Sequence, residues 1–238
     1  MAGLCWMAVM VAFFLSAENT SAVVDQNRLA SFVNGIFREY GTQGMFCLAV
    51  SIPDNQNQNI NDILQDIFQS DPGDDVRNAI NDGKVYIGTR VVAAKVLRHP
   101  NGGTDHAESR VVDKLNRLFR QTNRNDLLLF YVYASPCVER CSSTSDDRRI
   151  LRRIQRISQW SNHVFVFTEI YEPNTCQTNR PTDAARRAAL QRLGSSVGLE
   201  NIFRCERLSG RQQCTRCFSG GNVADYCVSD STSPSTSG

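Results

Sequence analysis

Two short stretches decide how this chain folds: "TDHAESRVV" at 104–112 and "YVYASPCVERC" at 131–141. The chain has only three histidines, and His106 lies two residues before Glu108 at a predicted helix start. In the second stretch a Ser-Pro pair precedes Cys137, and serine followed by proline is typical of the first residues of a helix. Both stretches therefore place reactive side chains where a helix begins.

The two cysteines of the second stretch have the spacing of metal ligands. A helix N-terminus lowers the pKa of a thiol such as Cys137 and favours the thiolate that a metal needs. Cys141 comes four residues later, so a continuing helix puts both sulfurs on one face. Adjacent turns of one helix make a poor disulfide, although a disulfide or a free buried thiol is the alternative for this pair.

The first stretch has a purely structural alternative. Asp105 is a predicted N-cap with Glu108 at the third helical position, which is a capping-box pattern. Taken together, however, one histidine and two cysteines are three ligands that zinc takes, with a fourth position left for water. Each stretch follows a buried strand, so we expect both at the same carboxyl end of a sheet.

Buried apolar runs alternate with amphipathic helices along the chain. This alternation predicts an α/β fold with right-handed crossovers. The predicted strands are 45–52, 84–97 (one strand or two), 126–134, 163–171 and 201–205. The predicted helices are 27–41, two short ones within 60–83, 106–119, 148–160 and 182–194.

At these residues the chain resembles a known family. "HAE" at 106–108 and "PCVERC" at 136–141 are similar to the H-x-E…P-C-x-x-C signature of the zinc-dependent cytidine deaminase superfamily, with three residues rather than two between the cysteines. "YASPC" at 133–137 is similar to the strand end of the APOBEC-type nucleic-acid deaminases. By element order the resemblance covers 45–206.

The resemblance implies a fold, a reaction and a set of site residues. The implied fold is a three-layer α/β/α sandwich with a mixed central sheet of about five strands. The implied reaction is hydrolytic loss of ammonia from a nucleobase, by default cytosine to uracil with adenine as the other possibility, in a nucleoside, a nucleotide or single-stranded nucleic acid. The implied residues are Zn²⁺ ligands His106, Cys137 and Cys141, the proton shuttle Glu108, and substrate-binding Ala107, Tyr133 and Ser135. The alternative is a secreted, catalytically silent domain that keeps this fold as a binding module.

The amino terminus predicts export. Residues 2–15 are apolar and are followed by small residues, which is typical of a secretory signal peptide over 1–22, with an amino-terminal anchor as the alternative. No later apolar run is long enough to span a bilayer, so we expect an extracellular protein without stable membrane insertion. The predicted organisation continues with a helical lead (23–44), a deaminase-like domain (45–206), a Cys-rich extension (207–228) and a disordered Ser-rich tail (229–238).

The cysteine count also indicates an extracellular protein. Cys5 leaves with the signal peptide and eight of the nine cysteines remain, an even number that favours disulfides in a secreted chain. The last four also have a structural zinc site as an alternative, and the pairing stays open. The disulfide candidates are Cys47, Cys176, Cys205, Cys214, Cys217 and Cys227.

Charge identifies no partner by itself, and the sequence sets no oligomeric state. The formal net charge is only +2, and the basic residues are nearly all arginine. One face of the predicted helix 148–160 carries Arg149, Arg152, Arg153 and Arg156. We interpret that face as the solvated outside of a packed helix, with a nucleic-acid backbone as the alternative partner.

Overall fold

The computed structural model of the chain describes residues 24–137, 150–172 and 180–230. The predicted signal peptide and most of the Ser-rich tail lie outside these residues, as do Cys141 and Cys176. Among the described residues, no helix is both long enough and apolar enough to cross a membrane.

The described residues form seven α-helices and a central sheet of seven strands. The helices are α1 (Gln26–Tyr40), α2 (Ile60–Ser70), α3 (Gly73–Asn81), α4 (Ala107–Val112), α5 (Leu115–Gln121), α6 (Leu151–Ile154) and α7 (Asp183–Val197). The strands are β1 (Phe46–Ile52), β2 (Tyr86–Ile87), β3 (Val91–Lys95), β4 (Leu97–Arg98), β5 (Thr104–Asp105), β6 (Leu127–Ala134), β7 (Asn162–Glu169), β8 (Ile202–Leu208), β9 (Arg211–Arg216), β10 (Phe218–Ser219) and β11 (Asn222–Val223). Short 3₁₀ segments occur at Gln155–Gln159, Leu199–Asn201 and Asp225–Cys227.

The sheet is mixed, and its order is β2-β3-β1-β6-β7-β8-β9. Strands β3 and β6 are both antiparallel to β1, while β6, β7 and β8 run parallel to one another. The carboxyl ends of β3, β6, β7 and β8 therefore lie at the same end of the sheet. The predicted mixed α/β fold is confirmed, but the sheet has two more strands than the five expected, since β2 and β9 add one hairpin partner at each edge.

Helices cover both faces of the sheet, so the molecule has three layers. One apolar core joins α1, α2 and α3 to one face, through side chains such as Phe32, Ile67 and Leu129. The other core joins α4 to α7 to the opposite face, through side chains such as Val111, Ile157 and Leu193. Strand β6 is buried along most of its length because both faces are covered, which explains its continuous apolar sequence.

The pair α2–α3 is docked on the sheet by one buried carboxylate. Asp71 lies between these helices and is fully buried. Its Oδ1 accepts hydrogen bonds from the Tyr86 hydroxyl and the Thr89 N–H, both at 2.9 Å, and its Oδ2 accepts one from the Arg90 N–H at 2.8 Å. These bonds hold the turn between β2 and β3 against the helical layer.

The carboxyl-terminal region continues the sheet. Strands β8 and β9 form an antiparallel hairpin that the Cys205–Cys214 disulfide bridges, and Cys217–Cys227 closes the next loop. The sulfurs of these four cysteines are thus used in two disulfides, not in a structural zinc site. Cys47 was a disulfide candidate, but in the structure it is a free thiol, because β1 directs its side chain into the core beneath α4–α7.

Candidate functional site

The two stretches of the sequence motif meet at the carboxyl end of the sheet. After β3 ends at Lys95, the chain forms the β4–β5 hairpin and then enters α4, which packs against β1 and β3. Strand β6 ends at Ala134 on the same side of the sheet, and Cys137 follows three residues later. Topology therefore brings together residues that are about thirty positions apart in sequence.

His106 is the N-cap of α4, not the first-turn residue that the capping-box pattern predicts. Its backbone is extended, and its carbonyl accepts the Arg110 N–H at 3.2 Å. Asp105 does not cap the helix, since it belongs to β5 and its carboxylate lies 2.9 Å from His99 Nε2. The assignment of Asp105 as the N-cap is thus corrected, and Glu108 lies in the first turn of a helix whose N-cap is His106.

The side chains of His106 and Glu108 face each other. Their Nδ1 and Oε1 atoms are 3.5 Å apart, and the side chains are 35% and 19% exposed. Between them in sequence, Ala107 is buried. The predicted metal ligand and the predicted proton shuttle therefore share one partly shielded position at the start of α4.

The end of β6 forms the facing wall. The Ser135 N–H donates to the Glu169 carbonyl at 2.8 Å, and its hydroxyl accepts the Tyr171 N–H at 2.9 Å. Ser135 thereby links the ends of β6 and β7. Tyr133 packs against Phe46 with a ring-centroid distance of 6.2 Å. The helix expected after Pro136, including Cys141, lies outside the described residues.

These residues line one small cavity. Its walls include His106, Glu108 and Cys137, together with the predicted substrate-binding residues Ala107, Tyr133 and Ser135. The cavity measures about 20 Å³, room for about one water molecule, so a nucleobase requires it to widen. Larger clefts of about 180 and 280 Å³ lie elsewhere, but neither has a histidine or cysteine in its lining. The chemistry therefore favours the small cavity as the site.

A buried thiol lies beneath the site. Burial raises the pKa of Cys47 well above its ordinary value, and the negative charge of Glu108 raises this pKa further. The thiol is therefore neutral at physiological pH. Unlike an ionised thiol, it adds no negative charge next to Glu108.

Two arginines anchor the helix that carries His106 and Glu108. Arg110 donates from Nη1 to the Lys95 carbonyl and from Nη2 to the Gly83 carbonyl, both at 2.6 Å. Arg153 reaches across from α6 and donates to the Ser109 hydroxyl at 2.8 Å and the Ser109 carbonyl at 2.9 Å, and it also pairs with Asp113. Helix α4 is thus held on both sides.

The donor set at the cavity fits a zinc ion in its chemistry. An imidazole and a thiol are typical Zn²⁺ ligands, and His106 and Cys137 line one cavity. In the structure, however, Cys137 is disulfide-bonded, and metal binding requires the reduced thiolate. No group of three side chains that could hold a metal ion occurs within 24–137, 150–172 and 180–230, the described part of the chain, which does not include Cys141.

The sequence of the chain matches a known protein family. A family model described as Secreted Novel AID/APOBEC-like Deaminase 1 matches residues 26–231. The chain belongs to this family. Searches of curated proteins and of solved structures each returned no match for it.

Membership in this AID/APOBEC-like deaminase family confirms the resemblance inferred from the two motif stretches. The family description includes secretion, and the two disulfides near the carboxyl terminus are typical of an exported protein. The match also extends through the β8–β9 hairpin and the loop closed by Cys217–Cys227.

Sequence reasoning missed several residues at this site. Tyr171, which follows β7, lines the cavity, and so do Met45 and Phe46 at the amino end of β1. Tyr171 had a usable signal, because it ends the third apolar run whose carboxyl end meets the site. No sequence pattern identifies Met45 and Phe46 as site residues, since their position depends on β1 running antiparallel to β6.

Proposed function

We propose that this chain is a Zn²⁺-dependent hydrolytic deaminase that converts cytosine to uracil in a nucleoside, a nucleotide or single-stranded nucleic acid. The observation that supports it is the position of His106, Glu108 and Cys137 around one cavity at the carboxyl end of the sheet. Family membership supports a deaminase fold, and the site residues supply the chemistry.

In this proposal each site residue has a defined task. His106, Cys137 and Cys141 would hold the Zn²⁺, which when bound supplies a water activated as a nucleophile near neutral pH. The Glu108 carboxylate would take one proton from the attacking water and pass it to the ring nitrogen. It would then take the second proton from the hydroxyl formed on the ring carbon and pass it to the amine, so that ammonia departs as the carbonyl forms. Ala107, Tyr133 and Ser135 form the wall that faces the base.

A second function is favoured by one observation. The disulfide at Cys137 removes the thiolate that the zinc site needs, and a chain kept in this state has no metal centre. Such a protein is a catalytically silent binding module with a deaminase fold. The two functions differ in their zinc content and in their dependence on Glu108.

We also propose that residues 1–22 are a signal peptide and that the mature chain is extracellular. The family description and the disulfides Cys205–Cys214 and Cys217–Cys227 support this proposal. Sequencing the amino terminus of protein secreted from a eukaryotic host tests it. A mature chain that starts at Val23 is the expected result, and a retained Met1 contradicts it.

Zinc content and ammonia release test the enzymatic proposal together. Protein secreted from a eukaryotic host is analysed by elemental mass spectrometry and then incubated with cytidine, cytosine nucleotides and a cytosine-containing oligonucleotide. We expect about one zinc per chain. We also expect ammonia release that Glu108→Gln abolishes without loss of zinc, whereas Cys137→Ser loses both.

The matched control is Glu200→Gln, which removes an exposed carboxylate far along the chain from the site and leaves both readouts unchanged. A wild-type protein without zinc, with Cys137 still oxidised, contradicts the enzymatic proposal and supports the binding module. Zinc without ammonia release from any of the substrates contradicts the proposed reaction.

A further inference from the structure

Two segments of the helical layer beside the site carry positive charge only. Segments 114–125 and 150–162 contain seven of the chain's 26 basic residues and none of its 24 acidic residues, which leaves 19 basic against 24 acidic elsewhere. Arg153 is one of the seven and is used to anchor α4. The other six form what we call the basic face: Lys114, Arg117, Arg120, Arg124, Arg152 and Arg156.

The six side chains of the basic face have no acidic partner within the described part of the chain. Across the described residues, none of its six side chains takes part in a salt bridge or a side-chain hydrogen bond, whereas Arg90, Arg153 and Arg186 each do. Four of the six side chains are exposed, and Lys114 and Arg156 are half-buried. Unpaired like charges repel one another, so this arrangement creates a positive field that an external anion can satisfy.

The packing of the layer places these charges on one surface. Helix α5 contacts the 3₁₀ segment after α6, where the rings of Phe119 and Trp160 meet edge to face at 5.1 Å. Leu115 and Leu118 on one side, and Ile154 and Ile157 on the other, are fully buried against the sheet. Lys114, Arg117 and Arg120 are three residues apart and Arg152 and Arg156 are four apart, which is about one helical turn, so each set lies on one side of its segment.

The basic face supplies positive charge but no fully exposed aromatic ring on which a nucleic-acid base could stack. Single-stranded nucleic acids are bound by cations combined with exposed aromatic rings on which bases stack. Here Trp160 is fully buried, and Phe119 is partly buried and packed edge to face against it, so neither ring offers a fully exposed face for stacking. Arginine forks instead suit repeated anionic oxygens on a linear chain.

We propose that the basic face binds a sulfated glycosaminoglycan of the heparin type. The proposal relies on the chain being extracellular, where such polymers are the abundant linear polyanions, and it does not rely on deaminase activity. Helix α6 contacts α4 near the site, and α5 runs from there toward the chain that enters the amino end of β6.

Binding of the mature secreted chain to a size-defined heparin oligosaccharide tests the proposal by calorimetry and by elution from heparin resin. The test variant combines Arg117→Gln, Arg120→Gln, Arg152→Gln and Arg156→Gln. The matched control removes four exposed cations elsewhere and combines Arg38→Gln, Lys84→Gln, Arg207→Gln and Arg211→Gln. Thermal melting and zinc content are measured on all three proteins.

We expect the test variant to bind heparin at least about tenfold more weakly and to elute at lower salt, while the control variant behaves like the wild type. Equal losses in both variants, or no heparin binding by the wild type at physiological salt, overturn the proposal. Tighter binding to double-stranded DNA of equal charge, lost in the test variant alone, reassigns the face to nucleic acid and also overturns it. All of these outcomes are independent of whether ammonia is released.

Discussion

Replacing Arg153 with alanine tests how the helix that carries Glu108 is held in place. Arg153 donates to the Ser109 hydroxyl at 2.8 Å and the Ser109 carbonyl at 2.9 Å, pairs with Asp113, and its side chain is 28% exposed. Hydrogen bonds from a charged group contribute about 1.5–3 kcal/mol each. After reduction for solvent screening, we expect the loss of the set to cost about 2 kcal/mol.

This loss is measurable as a shift in Tm. For a domain of this size, about 2 kcal/mol corresponds to a decrease of about 4–8 °C. The assay is thermal unfolding of the mature chain followed by circular dichroism. Ser109→Ala removes only the hydroxyl contact, so we expect a decrease of about half as much.

The neighbouring residue provides a matched control. Arg152 is exposed and makes no side-chain hydrogen bond or salt bridge within the described part of the chain, so Arg152→Ala is expected to change stability by less than about 0.5 kcal/mol. If Arg153→Ala and Arg152→Ala melt at the same temperature, the contacts across α4 and α6 do not stabilise the fold and the reasoning is refuted.

Three further predictions concern other parts of the fold. Asp71→Ala removes a fully buried carboxylate that accepts three partly buried hydrogen bonds, and it is expected to lower the free energy of unfolding by about 3–5 kcal/mol in urea denaturation. The exposed Asp75→Ala is expected to leave this free energy nearly unchanged. Cys47 is expected to resist iodoacetamide at pH values near 8 in the native protein and to react once the protein is unfolded. Burial blocks access to the thiol, and the raised pKa keeps it protonated. Rapid labelling of the native protein contradicts the buried position of Cys47. Replacing Cys217 and Cys227 together by serine is expected to cost about 2–3 kcal/mol, seen as a lower denaturation midpoint, because their disulfide closes a short loop; an unchanged midpoint argues against that bridge.

The sequence predicts the strand and the helix that carry the candidate site, because the patterns that identify these elements lie within short windows of sequence. The buried run of β6 and the helical periodicity after His106 each lie within a window of about ten residues. Strands followed by helices place their carboxyl ends together, so the meeting of the two stretches also follows from the order of elements. The predicted capping box fails because an aspartate before a helix has other partners available. Here Asp105 pairs with His99 across the β4–β5 hairpin.

Other features depend on contacts between distant residues. The sequence marks Arg152 and Arg153 as equivalent members of one arginine face, yet only Arg153 reaches Ser109, 44 residues earlier in the chain. In the same way an even cysteine count favours disulfides, yet Cys47 stays free because β1 points it into the core between the sheet and α4. No local pattern distinguishes these residues from their neighbours.

The sequence by itself determined the α/β class and the deaminase family, and it predicted His106, Glu108 and Cys137 as site residues, since composition, periodicity and motif spacing are properties of the chain alone. The tertiary structure decided which of the remaining side chains join that site. Helix packing selected the arginine that anchors α4, and the antiparallel pairing of β1 with β6 brought Phe46 to the cavity. The physical reason is that hydrogen bonds and apolar contacts act over a few ångströms in space, a distance that sequence separation does not encode.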